Sequence, residues 1–257
     1  MDRAEDEKLP LTIHLKELRT RLVNILIGIG IGFFACYYFK ELLFKIIARP
    51  LVAVLPKGSH MIFTGLPEAF FIYMKIAFFA SLLITSPYTL YQIWKFVSPG
   101  LYNSEKKYVV PFVLTSSILF IGGVTFGYFF VLPAAFEFFI SFSSEFLRPM
   151  VSFREYLSFT MKFLLAFGIS FELPVFIFFL TKAGILNTRI LTSYRRYAIL
   201  IIFIVAAVLT PSPDAFSQIL MAIPLMILYE ISIVVARRVE KTARKDKEAA
   251  AAKGEDS

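Results

Sequence analysis

Soft metal ligands are almost missing from this chain, which has one cysteine (Cys36) and two histidines (His14 and His60). A disulfide framework needs a second thiol, and a zinc site needs about four such ligands, so both are excluded. Charge is scarce too: Asp, Glu, Lys and Arg make up 18% of the 257 residues. No H-E-x-x-H, no G-x-S-x-G and no Walker P-loop occurs anywhere, so no hydrolase or nucleotide-binding signature is present. The intramembrane acids are isolated rather than paired, which leaves acid–base catalysis without a constellation, and no cofactor is expected. The segment ahead of the first apolar stretch is of mixed charge and the stretch itself lacks a small-x-small cleavage signature, so it is expected to be retained as the first span.

Apolar mass takes the place of all this. Hydrophobic residues make 58% of the chain, thirty of them Phe, and the mean hydropathy is +0.71; a water-soluble core of this length has no room for so much apolar surface. The reading is an all-α polytopic membrane protein. Stretches able to cross about 30 Å of hydrocarbon lie near 21–39, 68–94, 109–140 and 156–181. Two more follow on either side of the turn TPSPD, at 197–209 and 215–236, giving six crossings of which the fifth and sixth are short. Residues 1–238 are read as one six-helix domain with an interfacial N-terminal segment at about 12–20, and 239–257 as a charged tail without regular structure.

The net charge of +8 would suggest nucleic acid in a soluble protein; here the bases flank apolar runs, as membrane anchoring requires, and nucleic-acid binding is not expected. With six spans, nineteen of the 27 Lys and Arg fall in the two tails and the even-numbered loops, six in the odd-numbered loops and two within spans. Basic residues in short loops stay on the cytoplasmic side, so both termini are expected inside.

Several polar residues stand out against this background. Glu172 lies deep in the fourth span, where an ionised carboxylate is costly and an acid is functional by default. Pro174 has no N–H for the carbonyl of Ser170, so the helix is interrupted at the same point. Glu172 could also be a protonated, hydrogen-bonded acid, or the partner of Lys75 or Lys162, which otherwise snorkel outward. Gly28 and Gly32, like Gly123 and Gly127, have the Gly-x-x-x-Gly spacing of close helix packing. On the expected cytoplasmic face, Leu15, Leu18 and Leu22 have helical spacing and Glu17 stands one turn from Arg21, the simplest reading of which is a solvated i,i+4 pair. Glu105, beside Lys106 and Lys107, is an acid on a basic surface and a candidate for an external arginine, whose fork engages carboxylate bidentately.

Six separated signatures carry a family resemblance: HLKELRTRL at 14–22, ARPL at 48–51, SPYTLYQIWKFVSPGLYNSEKK at 86–107, FGYFFVLPAAF at 126–136, SFTMKFLLAFGISFELPV at 158–175 and LTPSPDAFSQILMAIPLMILYEISI at 209–233. In this order, from about Leu11 to Arg238, they resemble the TatC family, the core subunit of the twin-arginine protein translocase. The resemblance implies a receptor for the twin-arginine signal peptides of folded cargo, driven by the proton motive force in the bacterial cytoplasmic membrane. It implies signal-peptide binding by Glu17 and Glu105, and transport competence linked to Pro50, Phe96 and Tyr128. It also implies functional or partner-contact roles for Glu172, Asp214 and Gln218. The partners so implied are TatA-like and TatB-like single-span subunits and further copies of this chain, in a lipid bilayer. A competing reading, a proton-coupled small-solute carrier that uses Glu172 as its relay, predicts inverted repeats, and the two halves have no internal self-similarity.

Overall fold

The computed structural model describes residues 11–56, 61–62, 65, 67–97, 109–144, 150–209 and 215–255. These are almost entirely helical; the only strand-like feature among them is an isolated bridge between Ile62 and Ser152. They fall into two compact units, drawn from Met1–Leu43 with Met74–Ser117 and from Phe44–Tyr73 with Ile118–Ser257.

The first unit is organised by α1 (Leu11–Tyr38), which has no proline and runs unbroken for 28 residues. The segment expected to lie along the interface is therefore continuous with the first span. The second expected span is broken into α3 (Glu68–Ile84) and α4 (Ser86–Val97), bent by 54°. Pro87 cannot donate to the carbonyl of Leu83, and the Ser86 hydroxyl supplies that donor at 2.7 Å. Gly32 of α1 lies against this corner: a Cβ there would come within 2.9 Å of Thr85 Cγ2. The small-residue spacing is thus used for packing within the chain. Trp94 of α4 donates from Nε1 to Ser116 Oγ at 3.1 Å and stacks on Phe112, both in the first half of α5 (Val109–Phe126).

In the second unit, α5 passes through a π-helical turn, Gly127–Val131, into α6 (Leu132–Ser141). Pro133 removes the donor for the Phe129 carbonyl, and the wider turn absorbs the defect, with Leu132 N–H donating to Gly127 O. The fourth span is α7 (Phe153–Phe171) and α8 (Leu173–Lys182), interrupted at Glu172, where the sequence places Pro174. Phe120, Phe126, Phe163, Phe167 and Phe171 fill the α5–α7 contact. Gly123 is required there, since a Cβ would lie 2.7 Å from the Phe167 carbonyl oxygen.

A short α9 (Thr188–Ser193), capped by Asn187 Oδ1 accepting from Ile190 N–H at 2.8 Å, leads into α10 (Arg195–Leu209). The 15 residues of α10 reach only about 22 Å, the short fifth crossing expected. α11 (Ala215–Glu255) is a single helix of 41 residues. The sixth helix is accordingly long, and only its apolar stretch ahead of Glu230, which contains Gln218 and Pro224, is short. The tail expected to lack structure continues this helix to Glu255, consistent with its Ala, Lys, Glu and Arg content. Glu240 fastens α11 to α9, accepting from Thr188 N–H at 2.6 Å and from its hydroxyl at 2.7 Å.

Four helical stretches are long and apolar enough to cross a bilayer by themselves: Ile13–Tyr38, Val110–Ser141, Phe153–Lys182 and Ala215–Arg244. The bent α3–α4 pair makes a fifth, and the short α10 a sixth. The architecture is all-α, polytopic and six-spanning. Lys75 and Lys162 are exposed on their helices, as snorkelling requires.

Candidate functional site

In the first unit, the functional residues expected on α1 and α4 meet on one face. Glu17 and Arg21 lie one turn apart, and Arg21 Nη2 donates to Glu17 Oε1 at 2.9 Å. The expected i,i+4 pair is present, but it is not a solvated one: the two side chains are 18% and 23% exposed. Arg21 Nη1 also donates across to Gln92 Oε1 of α4 at 3.2 Å. Gln92 is 5% exposed, and Arg21 Nε is buried with no hydrogen-bond partner among the described residues. One turn back on α1, His14 stacks on Phe96 at a centroid distance of 4.3 Å and an angle of 20°. Glu17 and Phe96 thus belong to a single patch. Gln92 was not singled out by the sequence; a polar residue inside the apolar run LYQIW was the available signal. Glu105, the second expected docking acid, lies outside the described residues.

In the second unit, Pro50 and Tyr128 are linked through the backbone carbonyl of Ile46. Pro50 sits inside α2 (Lys40–Val52) and has no N–H for the carbonyl of Ile46. The Tyr128 hydroxyl, at the π-turn, donates to that carbonyl at 2.6 Å. The Tyr156 hydroxyl of α7 donates to the adjacent Ile47 carbonyl at 2.5 Å. Tyr156 is buried and was missed in the sequence, although a proline within a helix implies that an orphaned carbonyl needs a donor from elsewhere.

Glu172 is 4% exposed. Its carbonyl accepts from Val175 and Phe176 N–H, each at 3.0 Å, so it begins α8 as it ends α7. Its flanking residues Ser170 and Leu173 line an apolar cavity of ≈ 250 Å³ completed by α10 and α11, including Ile201, Leu225 and Tyr229. Gln218 is half-buried in the first turn of α11, where Phe216 stacks on Phe138 of α6 at 4.1 Å. Leu173 and Tyr229 pack on the same cluster, which puts Glu172 near the level of Tyr229 on α11, with Gln218 about 16 Å nearer the start of that helix. The two are on neighbouring helices at different depths. Asp214 lies outside the described residues. No group of three or more His, Cys, Asp and Glu side chains able to hold a metal occurs among the described residues.

Comparison with known proteins identifies the family. The family model described as Sec-independent protein translocase protein (TatC) matches residues 13–224. The Sec-independent protein translocase protein TatC of Desulforapulum autotrophicum is 51% identical over 247 residues, covering 96% of this chain and 91% of that one. The protein of the same name from Escherichia coli strain K12 is 41% identical over 228 residues, 89% of this chain and 88% of its own. A crystal structure of the twin arginine translocase receptor TatC superposes with a TM-score of 0.80 at 40% identity, covering 88% of this chain and 99% of that one. With a family model matched over residues 13–224, relatives up to 51% identical along nearly the whole chain and a six-span helical fold shared with a solved relative, the chain belongs to the TatC family of Sec-independent protein translocase proteins.

Proposed function

We propose that this chain is the receptor subunit of a twin-arginine translocase, which binds paired arginines of signal peptides through Glu17 and Glu105 and scaffolds single-span TatA-like and TatB-like subunits. The observation that carries the reading is at Glu17. Its half-buried carboxylate already holds a guanidinium, that of Arg21, at 2.9 Å. A carboxylate with restricted water access favours a charged hydrogen bond more than a fully solvated one does, and arginine is the cation whose fork suits it. The His14–Phe96 stack supplies an apolar border to the same patch. The solved relative is itself a twin arginine translocase receptor, which supports the same assignment.

The excess of Lys and Arg in the tails and even-numbered loops supports a cytoplasmic position for both termini, and with it a docking face exposed to folded precursors in the bacterial inner membrane. The apolar cavity beside the Glu172 helix break, lined by Leu173, Ile201 and Leu225, is the part of the α7–α8 span suited to the side chains of an apolar partner helix. The carrier reading has only the burial of Glu172 in its favour.

Binding of a synthetic twin-arginine signal peptide to the purified protein tests the docking assignment. Glu17→Ala and Glu105→Ala should each weaken it by about 1.5–3 kcal/mol, the usual cost of losing a hydrogen bond to a charged group. Unchanged affinity in the double substitution would refute it.

A further inference from the structure

Arg21 does more in this structure than pair with a neighbour on its own helix. Its guanidinium is shared between two acceptors on two helices, Glu17 Oε1 at 2.9 Å and Gln92 Oε1 at 3.2 Å, through two different nitrogens. A guanidinium has donors set apart in a plane, so it can span separated acceptors, whereas an ammonium is a compact point charge. The hold is also incomplete. Arg21 Nε is buried without a partner among the described residues, which penalises the present arrangement, and on the described residues Arg21 meets only one oxygen of the carboxylate. Another guanidinium offering the same two donors would meet the same pair of acceptors.

We infer that Glu17 and Gln92 form one guanidinium cradle, held in competition by Arg21, and that Gln92 is the residue by which arginine is preferred to lysine in a ligand. The inference rests on the proposal that Glu17 docks signal-peptide arginines. An arriving arginine replaces Arg21 and regains both contacts; an arriving lysine satisfies Glu17 but leaves the 5%-exposed amide oxygen of Gln92 without its donor. Displacing Arg21 costs the same for either ligand, so Arg21 sets the absolute affinity and Gln92 sets the ratio.

These two roles separate in one experiment. The full-length protein in detergent or nanodiscs is titrated with signal peptides carrying Arg-Arg or Lys-Lys at the motif. Gln92→Met keeps the side-chain length and removes the acceptor; the Arg-Arg to Lys-Lys affinity ratio should fall about three- to tenfold. Gln92→Glu keeps an acceptor and should preserve the ratio. Arg21→Gln should raise both affinities by a common factor of about two- to fivefold, the strength of a weak, exchangeable ion pair, and leave the ratio unchanged. An unaltered ratio in Gln92→Met overturns the role of Gln92, and a fall in both affinities in Arg21→Gln overturns that of Arg21. If Glu17→Ala in the same assay leaves Arg-Arg binding intact, the docking proposal itself fails; if Glu17→Ala weakens binding while Gln92→Met does not change the ratio, only the cradle fails.

Discussion

At the scale of single residues, the environment of an acid decides its role more than its presence does. Glu17 is pinned beside α4 with limited access to water, and Glu172 is enclosed at a helix break. Glu172→Gln keeps the size and one acceptor of the side chain and should leave the folded bundle intact, as judged by its thermal unfolding, while reducing transport or altering assembly with partner subunits. Normal export by both Glu172→Gln and Glu172→Leu would make the residue purely structural. The pairing of Glu17 with Arg21 was legible from a spacing of four on a helix, because that geometry is local. The arrival of Gln92 at the same guanidinium was not, because it depends on the rotation of α4 against α1, and no periodicity within either helix encodes that.

Among elements, the repeated device is a proline that orphans a carbonyl, with a hydroxyl from elsewhere taking up the loose end. Ser86 serves Leu83 ahead of Pro87, and Tyr128 serves Ile46 ahead of Pro50. The break at Pro174 was legible in the sequence, whereas the bend at Pro87 lies inside a run that reads as one span over 68–94; the tyrosine donors come from residues far along the chain and were not legible either. If the account of α2 is right, Tyr128→Phe should cost about 1 kcal/mol in unfolding experiments on its own. In a Pro50→Ala background, where an N–H is restored to the Ile46 carbonyl, the cost should largely vanish; additive effects in this double-mutant cycle would contradict it. Glycines divide by the same kind of reasoning. Gly123→Ala forces a Cβ against the Phe167 carbonyl and should destabilise the protein by about 1–3 kcal/mol. Gly30→Ala, with nothing within 4 Å of the added atom, should be neutral or slightly stabilising. Equal effects of the two substitutions would show that the α5–α7 contact is looser than described.

For the whole molecule, crossing number was legible because lipid demands long apolar helices and leaves few alternatives. The short α10 was visible as a run too brief to span, whereas the continuation of α11 through the charged tail was not: a hydropathy pattern ends where the apolar residues end, and helix propensity carries the backbone on. The charge asymmetry predicts that single cysteines introduced at Lys16 and Arg189 react with an impermeant thiol reagent only from the cytoplasmic side, in a background lacking Cys36. Labelling of either from the outer side would invert the proposed orientation. The central claim is that the face joining α1 to α4 receives the arginine pair of a signal peptide. Its most direct test is photo-crosslinking from Thr20, an exposed position one turn from Glu17, to a precursor carrying Arg-Arg or Lys-Lys in native membranes. The account predicts a strong crosslink with Arg-Arg that falls sharply with Lys-Lys and with Glu17→Ala; crosslinks indifferent to both changes would contradict it.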